Sequence, residues 1–398
     1  MKRNHLLWLI PVVLMLALFL TASCGDDGNG DESDGDNNNN KPVEGELFLA
    51  DQTGADIWMP IITTISVSAE DFLGFIYVKG SSLLVKRFDP SDTNLETELE
   101  EFKPDTGLGS NIIFGVTEYA VNERFFSWNA NESTYRYQWG KTVKPQIGLA
   151  LVPGNCIYVN DARKDTLVGV QDSGQLLRVE LFDFEKPFDS ADLVDPASET
   201  NQTVAVKAFS CSADRGIGFV ATKDGRVFRI NLGDPQPSLG LSGVPEFTLK
   251  KATEDPLVNV DLDKDFSQMQ YAHPYLVWVD KKYDIKMYNV QTKEYPKRVV
   301  DVDPNGFMEV NHGSVTDMRI FGSILLWSDM SSGQEGNYDI WGADIKKMAN
   351  ERDFYQITKD PDGVTADQRY PYLFKSTVYW VDNRNGKSEI FRGALPTM

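Results

Sequence analysis

A strand, a polar turn and a second strand recur along the C-terminal third of this chain, and no other feature constrains its fold as much. "YLVWVDKKYDIKMYNV" (Tyr275 to Val290), "ILLWSDMSSGQEGNYDIWGADI" (Ile324 to Ile345) and "STVYWVDNRNGKSEIFRGAL" (Ser376 to Leu395) share one layout. Each has an apolar strand with a tryptophan, an aspartate at the turn, then Asp or Glu, Ile and a bulky apolar residue. The turn aspartates Asp280, Asp329 and Asp382 are spaced 49 and 53 residues apart.

Weaker copies run toward the N-terminus: around Asp224 ("GFVATKDGRVFRINL"), Asp161 ("CIYVNDARKDTLVGV"), Asn129 ("FFSWNANESTYRYQW"), Gly80 ("FIYVKGSSLLVKRF") and at Leu47 to Trp58 ("LFLADQTGADIW"). Strand alternation with a turn of Gly, Asn or Asp recurs in them. Helical periodicity is nearly absent, and Asn94 to Phe102 is the best short helix candidate. A hairpin repeat of about 50 residues predicts an all-β chain folded as a single β-propeller, whose blades bury their faces against one another. The body at 46–398 divides by that period into about seven blades, with six or eight left open and the Leu47 hairpin a candidate for ring closure. Apolar residues at 41% suffice for the core of such a body.

The motifs at Tyr275, Ile324 and Ser376 resemble the blade motif of TolB-type (WD-like) propellers over residues 271–395. The resemblance implies the fold and no activity, because the motif is structural. The small α/β domain that precedes the TolB propeller has no counterpart here, so that family's envelope partners do not follow.

Residues 1–23 read as a signal peptide: Lys2 and Arg3, an apolar run from Leu6 to Leu20, then small residues. That run is short for a bilayer span. "LTASC" resembles the lipobox of bacterial lipoproteins, which implies lipid attachment at Cys24. It departs from that pattern at Thr21, where the family most often has leucine. Ordinary cleavage with a free cysteine and an uncleaved anchor helix are the alternatives. Residues 24–45 follow as a tether, with six acidic residues between Gly25 and Pro42 and no base before Lys41. Such a segment lacks the apolar surface needed for ordering. Gly25 after the cysteine, by resemblance to enteric lipoprotein sorting, implies the outer membrane rather than the inner one. The chain is thus expected to be exported and lipid-anchored in the bacterial envelope.

Candidate sites are few. The turn aspartates are read as structural, their carboxylates binding turn amides. "DVDPNGFMEVNH" places Asp301, Asp303 and Asn305 like the start of an EF-hand loop, but His312 stands where the bidentate glutamate belongs, so it is a weak calcium candidate and no metal site is expected. Tyr135, Tyr137 and Trp139 share one strand face, with Trp128 nearby, and are read as inter-blade packing rather than a sugar platform. His273 is read as structural. Cys156 and Cys211 lie one repeat apart, so an oxidising compartment permits a disulfide, with two free thiols as the alternative.

The net charge of −20, from 39 basic and 59 acidic residues, argues against nucleic acid as a partner. No catalytic residue is assigned and no cofactor is expected. The sequence therefore predicts a non-catalytic binding or scaffold module, held to the membrane by a lipid and facing an envelope protein or glycan. The alternative is an envelope hydrolase or lyase acting on polysaccharide or peptide, which requires Asp, Glu, Arg and Tyr to converge at one mouth of the propeller channel.

Overall fold

Apolar runs such as "LVWV" and "VYWV" are too short for helices and carry β-branched and aromatic residues, so they form strands buried on both faces. The computed structural model describes residues 42–397 outside 51–54, 68–69, 81, 91–97, 103–118, 122–123, 131–132, 140–150, 153–155, 160–164, 181–188, 194–198, 201, 213–216, 232–248, 251–267, 280–284, 293, 299–314, 331–336 and 348–353. Among the described residues there is no helix.

Strand β1 (Glu46–Leu49) precedes a first sheet of β2 (Ile57–Val67), β3 (Glu70–Lys79), β4 (Ser82–Arg87) and β5 (Glu98–Phe102). The second sheet has three described strands, β6 (Tyr119–Val121), β7 (Phe125–Ala130) and β8 (Ser133–Gln138). The third holds β9 (Cys156–Val159), β10 (Asp165–Val170), β11 (Gln175–Glu180) and β12 (Asp189–Asp192). The fourth holds β13 (Val206–Ser212), β14 (Ile217–Thr222), β15 (Val227–Asn231) and β16 (Leu249–Lys250). The fifth holds β17 (Gln268–Ala272), β18 (Tyr275–Val279), β19 (Ile285–Asn289) and β20 (Glu294–Arg298). The sixth holds β21 (Thr316–Phe321), β22 (Ile324–Asp329), β23 (Asp339–Asp344) and β24 (Tyr355–Gln356). The last holds β25 (Gln368–Phe374), β26 (Thr377–Asp382) and β27 (Glu389–Ala394), with β1 as its outer strand.

Each sheet is an antiparallel meander, and buried side chains join each to the next. Trp128 and Tyr135 meet Ile61 and Ile76 between the first two sheets. Leu167 meets Phe125 at the next seam, then Val168 meets Phe209, and Phe219 meets Trp278. Val277 meets Trp327, and Ile340 meets Trp380. Finally Tyr379 and Ile390 of the last sheet pack on Phe75 of the first, which completes the circuit of a β-propeller. A tryptophan on the second strand of four sheets, Trp128, Trp278, Trp327 and Trp380, is almost wholly buried. Burying a side chain of that size removes enough apolar surface to contribute about 3 kcal/mol.

The first strands of successive sheets lie side by side, β9 with β13, β13 with β17, β17 with β21, β21 with β25 and β25 with β2, so these strands line the axis. The region from Leu47 to Trp58 does not form one hairpin. It is divided between two sheets, with Glu46 paired to Arg392 of β27 and Ile57 to Lys79 of β3. The helix expected at Asn94 to Phe102 is corrected: Glu98–Phe102 is β5, because Lys86 and Leu83 of β4 offer an unpaired edge that Glu98 and Phe102 complete. Leu95, Leu99 and Phe102 follow one another at intervals of four and three, as on a helix face, and the open edge of β4 overrides that local pattern.

Candidate functional site

In a meander the second-to-third turn and the connection to the next sheet emerge at the same end of the ring. On that end, three consecutive first strands begin in the same unusual way. Met59 of β2, Asp317 of β21 and Tyr370 of β25 have φ of 58°, 54° and 56°. Each sits at a shift of register against its neighbour strand, between Trp58 and Ile61, Thr316 and Arg319, and Arg369 and Tyr372. Left-handed backbone at a residue with a side chain costs on the order of 1–3 kcal/mol and persists where the surroundings impose it. These bulges re-aim the side chains beside them.

What they gather is a charged pair in an aromatic frame. Arg369 Nε donates to Asp317 Oδ2 at 3.0 Å, and its Nη2 donates to Thr316 Oγ1 at 3.3 Å. The guanidinium lies 4.7 Å from the centre of the Tyr338 ring and 5.3 Å from that of Tyr370. Burial pushes the Tyr370 phenol above its usual range, and the Asp317 charge adds to the effect, so Tyr370 stays neutral. Trp58 borders the same group, packed with Tyr370 and Tyr372 against both adjoining apolar clusters. A partly exposed arginine stacked between rings and fixed by a carboxylate presents a flat, donor-rich surface suited to binding.

Directly outward lies a set of carboxylates, buried at Asp329, Asp339, Asp382 and Glu389 and half-buried at Asp360. Asp329 and Asp339 are paired across β22 and β23, and Asp382 and Glu389 across β26 and β27. Asp360, on the connection from β24 to β25, accepts from Gln368 Nε2 at 3.0 Å and from the Ala366 amide at 3.3 Å. Asp382 Oδ1 accepts the Arg384 amide at 2.9 Å, and its Oδ2 accepts from Trp380 Nε1 at 3.2 Å and from the Arg384 guanidinium. Glu389 accepts from Asn385 at 2.6 Å and pairs with Lys387 at 3.1 Å. Burial and the charges of Asp360, Asp329 and Asp382 push Asp339 up to about 7. Burial raises Asp360 and Asp367 as well. Among the described residues, no group of three or more His, Cys, Asp or Glu side chains is arranged to hold a metal ion.

The opposite end has a cleft of about 670 Å³ beside the closing strand, lined by Glu46, Phe374, Lys375, Tyr379 and Arg392 among others. Its arginine is already engaged: Arg392 Nε donates to Glu46 Oε1 at 2.6 Å, and the guanidinium stacks 5.0 Å from the centre of Phe48. The cleft thus follows from how β1 is held.

Of the residues singled out in the sequence, Asp329 and Asp382 fall together in the carboxylate set, Asp329 at 5% and Asp382 at 0% exposure. Asp280, Asp301, Asp303, Asn305, His312 and Cys24 lie outside the described residues. Trp128 and Tyr135 stack with ring centres 5.4 Å apart inside a seam, and Trp139 is buried with them. His273 Nδ1 shares a 2.9 Å hydrogen bond with the Tyr271 hydroxyl. Cys211 is disulfide-bonded, and its strand β13 runs beside β9, which opens with Cys156. Sequence reasoning did not reach Arg369, Asp317, Tyr338 or Tyr370. The available signal was a proline after the bulge residue in both "IWMPII" and "QRYPYL".

No family model matches the chain, and no curated protein matches it in sequence. Among solved structures, BBS1N in complex with ARL6DN is similar at 10% identity and a TM-score of 0.48, over 90% of this chain and 99% of that one. Sqt1 of Saccharomyces cerevisiae is similar at 11% identity and 0.47, over 88% and 100%. The Pan2 WD40 domain of Neurospora crassa is similar at 9% and 0.47, over 87% and 91%. The propeller assignment rests on the sheets and seams described above.

Proposed function

We infer that the protein is a binding module of the bacterial cell envelope, exported by residues 1–23, anchored in the outer membrane by a lipid on Cys24 and spaced from it by residues 24–45. The ligand is a protein or glycan that seats at the channel end where Arg369, Asp317, Tyr338, Tyr370 and Trp58 meet. The observation that carries this reading is the repeated bulge on three neighbouring first strands, which spends backbone strain to gather one aromatic and charged surface. Export is also supported by the disulfide at Cys211, for which Cys156 is the proposed partner. Mass spectrometry of the unreduced protein should recover one linked peptide containing both cysteines. Radiolabelled palmitate should enter the chain and be lost in Cys24→Ala.

The test of function is capture of envelope proteins and glycans by the full-length chain and by Arg369→Glu. Wild-type capture lost in the variant, with its melting temperature maintained, supports the reading. Equal capture by both moves the ligand elsewhere on the ring. The enzyme alternative is favoured by one observation, the meeting of Asp, Arg and Tyr at a channel mouth. It predicts turnover of envelope polysaccharide or peptide that Asp317→Asn abolishes, and a binding module shows none.

A further inference from the structure

The turn from β25 to β26 lies at the end of the ring away from Arg369, and its backbone is out of keeping with its sequence. Phe374 pairs with Thr377, so Lys375 and Ser376 alone make the turn. Lys375 has φ of 55°. At the same place in the sixth sheet, between Phe321 and Ile324, the left-handed position belongs to Gly322, with φ of 65°. Glycine adopts that backbone without steric cost and is the usual first residue of such a turn, whereas lysine is strained in it. Strained residues of this kind cluster where a side chain serves a ligand.

Lys375 lines the cleft of about 670 Å³ beside the closing strand, a volume within the range of about 300–1,000 Å³ that holds a small organic ligand. Its ammonium lies 5.4 Å from the centre of the Phe374 ring and makes no ion pair among the described residues. Ser376 and Thr377 line the same cleft, and neither hydroxyl is hydrogen-bonded among the described residues. Glu46 lines it as well: its Oε1 accepts from Arg392 at 2.6 Å, while its Oε2 has no partner among the described residues and the side chain is well exposed. These lining residues thus offer an unpaired cation, two unengaged hydroxyls and a carboxylate oxygen whose charge Arg392 already balances. A bare anion gains nothing from that carboxylate, whereas a ligand bearing both an acid group and hydroxyls satisfies all of these groups at once. An extended peptide is caught by adding a strand to an open sheet edge, and β1 already occupies the edge of β27.

We propose that this cleft binds an acidic sugar of the uronic acid type, its carboxylate on Lys375 and its hydroxyls on Ser376, Thr377 and Glu46 Oε2. The charge-assisted hydrogen bond to Lys375 is the strongest of these contacts and decides between acid and neutral sugars. The site is separate from the Arg369 surface and does not depend on what that surface binds.

The experiment is calorimetric titration of the full-length chain with short galacturonate and glucuronate oligomers, beside their methyl esters, which keep every hydroxyl and lose the charge. The acids should bind at least about tenfold more tightly than the esters. Equal binding of acid and ester, or binding of neither, overturns the proposal. Inorganic phosphate and a dipeptide of glutamate probe for a plain anion site, and either one matching the acids refutes the sugar reading. Lys375→Gly should abolish the preference for the acid while its melting temperature holds or rises, because glycine relieves the turn. Acid binding retained in that variant removes Lys375 from the site. Arg369→Glu should leave acid binding intact, and its loss there would move the sugar to the other end of the ring, so failure of this site and failure of the Arg369 surface are told apart.

Discussion

The seam that closes the ring and the seam beside it are built from opposite materials. Between the last and first sheets stand Phe48, Phe75, Phe88 and Tyr379, with ring centres 5.1 Å apart for Phe48 and Phe75, 5.2 Å for Phe48 and Tyr379, and 5.8 Å for Phe75 and Phe88. Between the sixth and seventh sheets an apolar floor of Leu326, Ile340, Ile357 and Trp380 carries a rim of buried carboxylates. Aromatic packing is indifferent to proton activity, whereas a carboxylate rim is not. Closure is thus assigned mainly to ring contacts that stay unchanged near neutral pH, where the Tyr379 phenol keeps its proton, while the neighbouring seam carries carboxylates that respond there.

The largest losses of stability should come from the aromatic closing seam. Phe75→Ala should cost about 4 kcal/mol in denaturant unfolding, because its ring is wholly buried among four others and leaves a cavity. A loss much smaller than that would mean that the closing seam is not the stronger one. Asp382→Ala should cost about 3 kcal/mol, since it strips the buried Arg384 of its partner and leaves Trp380 Nε1 without an acceptor. Gly45→Ala should cost about 2 kcal/mol in the same assay: its φ is +72°, and a Cβ would lie 2.2 Å from the Trp380 ring. That variant strains both seams at once, because Gly45 leads into β1 while the displaced Trp380 floors the neighbouring seam and donates to Asp382. Smallest of all, Lys359→Ala should leave the melting temperature unchanged, since its pairing with Glu44 at 3.0 Å is a surface contact.

The three C-terminal hairpins were readable because their second strands are buried on both faces and so appear as unbroken apolar runs ending in an aspartate. First strands were less readable. Thr316–Phe321 and Gln368–Phe374 mix polar and apolar residues and change register at a bulge, so their alternation is broken where the candidate site begins. Residue type marks neither Tyr370 nor Asp317 as left-handed in the way glycine would, and the proline that follows Tyr370 has no equivalent after Asp317. The acidic rim was half legible. Asp329 and Asp382 were visible as turn residues, but their meeting with Asp339 and Asp360 depends on which sheets adjoin, and that is a property of the ring.

Strand β1 is made first and used last. Its Arg392–Glu46 contact joins residues 346 positions apart, so β1 waits unpaired until β27 has been synthesised. Until then two chains face the same choice, to complete themselves or each other, since the β1 of one fits the β27 of its neighbour as well as its own. Raising the concentration of newly made chains should therefore shift the outcome from a self-contained ring toward a strand-exchanged pair.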